Sequence, residues 1–102
     1  MKLIQILLPL EDNEGKKFPS EFFANLNKSL VEKFGGLTAH LQSPATGLWA
    51  TPDEDIAHDQ IIIFEIMTEE LDKAWWRNLR KELETQLRQR LIIIRVHTVE
   101  NI

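Results

Sequence analysis

Hydrophobic residues recur along the chain with two different spacings. Residues 2–10, 60–67 and 91–99 are short runs rich in Leu, Ile and Val, which is typical of buried strands. Two longer segments repeat apolar residues every three or four positions, which is typical of amphipathic helices. The first helical set is Phe22, Phe23, Leu26, Leu30 and Phe34. The second helical set is Leu71, Trp75, Leu79, Leu83 and Leu87.

Helix-boundary signals flank both periodic segments. Pro19 stands where a first helical residue is expected, and its missing N–H costs nothing there. The Gly35-Gly36 pair follows the first segment, and glycine ends helices because it adopts the left-handed conformation without strain. Thr68 precedes two acidic residues. It is therefore predicted to cap the second helix, with the acids facing the positive end of its dipole.

The stretch between the first helix and residue 60 has a weaker pattern. Residues 37–41 and 48–51 have extended character, and residues 43–47 interrupt them. Proline cannot donate to a central ladder, so Pro44 and Gly47 favour an edge strand with a bulge or break. Residues 52–55 are predicted to form a turn.

The elements follow one another in the order β-α-β-β-α-β. This order predicts an α+β ferredoxin-like plait, in which two helices cover one face of a four-stranded antiparallel sheet. With right-handed crossovers, the first and third strands are central and the last strand lies beside the first. A length of 102 residues fits a single domain, residues 1–102.

Alternation along the strands assigns residues to the two sheet faces. The uniformly apolar set is predicted to lie under the helices: Ile4, Ile6, Leu8, Ile62, Phe64, Ile66, Ile92, Ile94 and Val96. The opposite set is mixed: Leu3, Gln5, Leu7, Ile61, Ile63, Glu65, Met67, Ile93, Arg95, His97 and Val99. This second face is too apolar to be left open to solvent. We therefore expect a second copy of the chain to cover it, giving a two-fold homodimer.

This layout resembles the dimeric α/β-barrel superfamily, in which two ferredoxin-like sheets pack face to face. Residues 34–38 (FGGLT) followed by residues 47–49 (GLW) are also similar to a pattern in small uncharacterised bacterial proteins. The superfamily resemblance implies a range of activities: cofactor-free monooxygenases, haem-degrading enzymes, isomerases, dehydratases and sensors. The fold alone does not indicate which of these activities a protein has. Haem degradation is disfavoured because neither helix interior carries a histidine.

Four polar residues on the second face are candidate ligand-binding residues. Gln5 is predicted to lie between Glu65 and Arg95, whose long side chains converge on a ligand or on each other. In a functional interpretation Arg95 holds a carboxylate and His97 is the base. In the structural interpretation, which we weigh more heavily, a Glu65–Arg95 pair fixes the register of the dimer.

The tryptophans and one acidic turn are further candidates. Trp75 is predicted to lie in the core with Trp76 at its edge. Trp49 lines a pocket mouth or a partner surface, or it packs in the core or the dimer, which we weigh more heavily. Residues 53–55 with His58 and Asp59 offer oxygen and imidazole donors, but their spacing fits no metal loop. We therefore predict no metal site.

The composition excludes some classes of function but does not identify one. The chain has no cysteine and a net charge of −4, which excludes thiolate chemistry and gives no bulk attraction to nucleic acid or anionic membranes. Its apolar start is stopped by Pro9 and lacks the pattern of a signal peptide, so a cytoplasmic location is expected. The preferred hypothesis is a homodimeric binding module for a small organic ligand or a protein partner, without a cofactor. A cofactor-independent enzyme of monooxygenase or isomerase type and a purely structural protein are the alternatives.

Overall fold

The computed structural model describes the backbone of residues 1–50 and 56–102 and the side chains of residues 1–39 and 60–102. The elements are β1 (Lys2–Pro9), α1 (Ser20–Phe34), β2 (Thr38–Ala50), β3 (Ile56–Thr68), α2 (Lys73–Gln86) and β4 (Ile93–Thr98). The order β-α-β-β-α-β is therefore confirmed.

The four strands form one antiparallel sheet in the order β2-β3-β1-β4. With two helices on one face, this is the predicted ferredoxin-like plait. β2 is an edge strand whose pairing with β3 shifts between His40 and Ala45, so the predicted irregular edge strand is confirmed. The interruption predicted at residues 43–47 is a change of register within one strand. The predicted turn at residues 52–55 lies outside the described residues.

The core forms between the two helices and the predicted apolar face of the sheet. Its buried sheet residues are Ile4, Ile6, Leu8, Ile62, Phe64 and Ile66, and Ile92 is buried just before β4. One residue assigned to this face differs: Val96 remains 42% exposed. β4 is an edge strand, so the helices pack on Ile94 and leave Val96 at their margin.

Helix α1 ends as its glycine pair predicts. Gly35 has a φ of 84°, and its N–H donates to the Val31 carbonyl at 2.8 Å. A residue with a Cβ is strained in this left-handed conformation. The glycine at this position therefore fixes where the chain leaves the helix and turns towards β2.

Helix α2 begins later than predicted. Asp72 is its N-cap, and the Asp72 carboxylate accepts the Trp75 N–H at 3.1 Å. The prediction that Thr68 caps the helix is wrong, because Thr68 ends β3 and its hydroxyl donates to the Glu70 carbonyl at 3.0 Å.

The packing of the two helical tryptophans is the reverse of the prediction. Trp76 is 5% exposed and belongs to the core, whereas Trp75 is half-buried and packs against its edge. Trp76 lies seven residues before Leu83, about two turns back on the same face, whereas a repeated step of four residues drifts by about 40° per step and moves Trp75 off that face. Trp76, Leu83 and Leu87 follow the face that is buried most deeply.

Helix α2 ends in a left-handed turn that contains no glycine. Arg88 has a φ of 52°, and the Gln89 N–H donates to the Glu84 carbonyl at 2.9 Å, the bond that defines a Schellman motif. The Glu84 carboxylate also accepts the Ile92 N–H at 2.9 Å. Glu84 thus ties the end of α2 to the start of β4.

Candidate functional site

The sheet face away from the helices carries three of the four predicted polar residues in one row. We call this surface the open face: the described residues Leu3, Gln5, Leu7, Ile61, Ile63, Glu65, Met67, Ile93, Arg95 and His97. Gln5 pairs with Glu65 on one side and with Arg95 on the other, so the predicted adjacency of these three residues is present. We call these three residues the polar row.

Apolar residues lie on both sides of the polar row. Leu7 pairs with Ile63 and Ile93 at one end, while Leu3 pairs with Met67 and His97 at the other end. Met67 and Ile93 are exposed, and the central leucines are only half-buried. The open face therefore combines one polar row with an apolar surround.

Gln5 and Glu65 of the polar row are joined by a side-chain hydrogen bond. The Gln5 side-chain amide donates to the Glu65 carboxylate at 3.1 Å, in a partly buried position. Arg95 is exposed on the other side of Gln5. This arrangement orients Glu65 through an amide donor and leaves the guanidinium of Arg95 accessible from above the sheet.

His97 lies two residues beyond Arg95 on β4 and is also exposed. Alternate residues of a strand share a face and are roughly 7 Å apart, so both side chains line the same edge of the open face. His97 therefore lies beside the polar row, opposite Leu3. This position alone does not assign a binding or catalytic role to His97.

A cleft adjoins the polar row at Glu65. It has a volume of about 320 Å³ and is lined by Phe34, Gly35, Gly36, Leu37, Thr38, Glu65 and Met67. We call it the glycine cleft. Its walls come from the last residue of α1, from the segment that leads into β2 and from two open-face residues of β3, so Glu65 belongs to both surfaces. A volume near 300 Å³ is at the small end of the range for ligand pockets.

Sequence reasoning did not assign residues 34–38 to a site, although they carried the resemblance to small bacterial proteins. The glycine pair predicts a helix end and does not by itself indicate a cleft. In the structure, a Cβ added at Gly35 or Gly36 would meet no described atom within 4 Å beyond the glycine and its chain neighbours. The segment alone does not reveal its neighbours, because the contact with Glu65 depends on how β3 lies beside β2.

Other sequence candidates receive no support from the described part of the chain. The side chains of Trp49 and of the acidic group at residues 53–55, His58 and Asp59 lie outside the described residues. Among the described residues, no group of three or more His, Cys, Asp or Glu side chains is placed to hold a metal ion. None of the described helices has the length and apolar character needed to cross a bilayer.

Comparison with known proteins identifies the fold and no family. No protein-family model matches the chain, and no curated protein matches it. Among solved structures, a phage SAM lyase in complex with S-methyl-5′-thioadenosine is similar, with a TM-score of 0.62 and 15% identity. The match covers 94% of this chain and 79% of the lyase chain.

A second similar structure is the divalent cation tolerance protein (Cut A1) from Thermus thermophilus. Its TM-score is 0.62 at 13% identity, over 99% of this chain and 86% of that chain. The phage SAM lyase in its apo state matches with a TM-score of 0.58 at 13% identity, over 94% of this chain and 78% of that chain. At these identities the likeness is one of fold, and it agrees with the ferredoxin-like plait.

Proposed function

We propose that the chain acts as a single domain that forms a homodimer through the open face and binds a small organic ligand beside Glu65. The observation that carries this proposal is the double position of Glu65, which lies in the polar row and lines the glycine cleft. An interface between two flat sheets would require only the polar row. Because the polar row continues into the glycine cleft, whose volume suits a small ligand, we favour ligand binding.

The apolar surround of the polar row supports self-association. Leu3, Leu7 and Ile63 are half-buried and Ile93 is 44% exposed on a face that no described helix covers. Contiguous apolar surface of this kind is rare on monomers and is typical of interfaces. A second copy is the simplest occupant, because it brings the same apolar surround and a polar row whose charges can pair with those of the first copy.

The charges of the polar row favour one orientation of the two copies. Glu65 and Arg95 lie one strand spacing to either side of Gln5. A two-fold axis running along β1 places each Arg95 opposite the partner subunit's Glu65, so that two ion pairs form. An axis across the strands places like charges opposite each other, which is unfavourable. The dimer we propose therefore has its axis along β1.

The chemistry of the polar row indicates the class of ligand. In the proposed dimer the guanidinium next to Glu65 is that of the partner subunit's Arg95, which binds a ligand carboxylate in a bidentate manner in place of one ion pair, while Glu65 accepts from hydroxyl or amino groups. We expect a small carboxylic acid that also carries such a donor. The phage SAM lyase solved with S-methyl-5′-thioadenosine supports small-molecule binding by this fold.

Native mass spectrometry on gently purified protein tests both parts of the proposal. We expect a dimer mass with a reproducible small adduct, whose mass identifies the ligand. Glu65→Gln should reduce the adduct, whereas Glu69→Gln, which changes an exposed acid outside the sheet, should retain it. A monomer would contradict the dimer, and an adduct unaffected at Glu65 would contradict the site.

Two alternatives have an observation in their favour. Arg95 and His97 share the open face, which suits a cofactor-independent enzyme with Arg95 as the anion-binding group and His97 as the base. The apolar surround equally suits a structural protein whose paired faces exclude any ligand. A dimer without adduct and without turnover of added carboxylic acids would favour the structural alternative. The proposal also includes the cytoplasmic location expected from the sequence.

A further inference from the structure

A second cleft lies near the other side of the α1 C-terminus, and its walls are aromatic. Phe34, Trp75 and Trp76 form a cluster in which Trp75 meets the other two rings edge-on, with centroid distances of 5.3 Å to Phe34 and 4.8 Å to Trp76. Phe34 stacks on Trp76 at 5.2 Å. The cleft beside this cluster has a volume of about 220 Å³, and we call it the aromatic cleft.

A cation already occupies one aromatic surface of this cleft. The Lys33 ammonium lies over the Trp75 ring, 4.7 Å from its centroid, and 5.7 Å from the centroid of Phe34. Lys33 itself is exposed. Its position shows that the ring face is accessible to a positive charge, and the negative face of an aromatic ring attracts such a charge.

The remaining wall of the aromatic cleft is acidic. Its full lining is Lys33, Phe34, Glu70, Leu71, Asp72, Trp75 and Trp76, which includes two carboxylates and one ammonium. The Asp72 carboxylate also accepts the Trp75 N–H at 3.1 Å, which fixes the start of the helix that carries both tryptophans. The charge of the lining favours a cationic ligand over an anionic one.

We propose that the aromatic cleft binds a small organic cation of the quaternary ammonium class, which displaces the Lys33 ammonium from the Trp75 ring. A primary ammonium is compact and strongly hydrated, so Lys33 loses little when it swings back into water. A quaternary ammonium has no N–H groups to hydrate and gains more from an aromatic surface. Glu70 and Asp72 then supply the counter-charge. This site is independent of the ligand proposed beside Glu65.

Calorimetric titration with choline tests this assignment, with tryptophan fluorescence as a second readout. The native protein should bind choline saturably and should bind its uncharged isostere, 3,3-dimethyl-1-butanol, more weakly. Lys33→Ala removes the competing cation, so choline affinity should rise about two- to five-fold. Lys28→Ala changes another exposed lysine of α1 that does not line the cleft and should leave affinity unchanged.

Two further variants locate the site. Trp75→Leu should abolish choline binding, provided that circular dichroism shows an intact helix content. Glu70→Gln alters only an exposed acid and should weaken choline binding without affecting folding, whereas Glu69→Gln should not. Absence of choline binding by both native and Lys33→Ala protein would overturn the proposal. Equal binding of the uncharged isostere, or weaker binding by Lys33→Ala, would overturn it as well.

Discussion

Ile93 and Val96 offer a matched test of association through the open face. Both are aliphatic residues of β4, with exposures of 44% and 42%. Ile93 pairs with Leu7 on the open face, whereas Val96 pairs with Ile4 and lies at the margin of the helical side. Ile93→Glu and Val96→Glu therefore add the same charge to the same strand but to opposite faces.

The expected effect on the dimer follows from the area that Ile93 still exposes. Full burial of an isoleucine side chain contributes about 1.5–3 kcal/mol, so covering the exposed 44% contributes about 1 kcal/mol. Two-fold symmetry doubles this to about 2 kcal/mol per dimer. Loss of that term alone raises the dissociation constant roughly 30-fold. Burying two carboxylates in the apolar surround adds a further penalty.

Sedimentation equilibrium over a range of protein concentrations measures both dissociation constants. Ile93→Glu should dissociate at concentrations where the native protein and Val96→Glu remain dimeric. Urea unfolding of each variant serves as the control for monomer stability. Equal association of the two variants, whether both are weakened or both unaffected, would refute the assignment of the open face as the interface.

Three other predictions depend on the charges of the polar row and on two left-handed backbone conformations. Glu65→Arg and Arg95→Glu should each weaken the dimer, and the double variant should restore part of the loss in a double-mutant cycle of sedimentation measurements; no coupling would contradict the axis along β1. Gly35→Ala should lower the free energy of unfolding by about 1–2 kcal/mol in urea because its φ is 84°, whereas Gly36→Ala should not. Arg88→Gly should raise the unfolding free energy by about 1 kcal/mol, since its φ is 52°; a decrease would count against that strain.

Most of the fold could be predicted because several local signals agreed with one another. Strand runs, helical spacing and the glycine pair after Phe34 all indicated the same element order, and the face assignment of the central strands followed from simple alternation. The sequence-based predictions were wrong where contacts between distant segments determine the structure. Thr68 and Asp72 are both good caps in isolation, and the length to which β3 extends determines which of them begins α2.

The part of the candidate site that lies in the sheet could be predicted from the sequence, whereas the two clefts could not. Strand order and alternation suffice to place Gln5 between Glu65 and Arg95, because register fixes which residues are adjacent. The two clefts depend on how the end of α1 packs against other elements. The contact of residues 34–38 with Glu65, and that of Lys33 with Trp75, join segments that are distant in sequence, and periodicity carries no information on such contacts.

The end of α1 connects the two clefts physically. Phe34 lines both of them, while Lys33 lines only the aromatic cleft and the glycine pair lines only the glycine cleft. The left-handed conformation of Gly35 sets the direction in which the chain leaves Phe34. A substitution at Gly35 is therefore expected to disturb ligand binding in both clefts, whereas Lys33→Ala alters the aromatic cleft alone. This difference gives residues 34–38 a physical role that their sequence pattern could not reveal: Phe34 forms a wall of both clefts, and residues 35–38 line the glycine cleft.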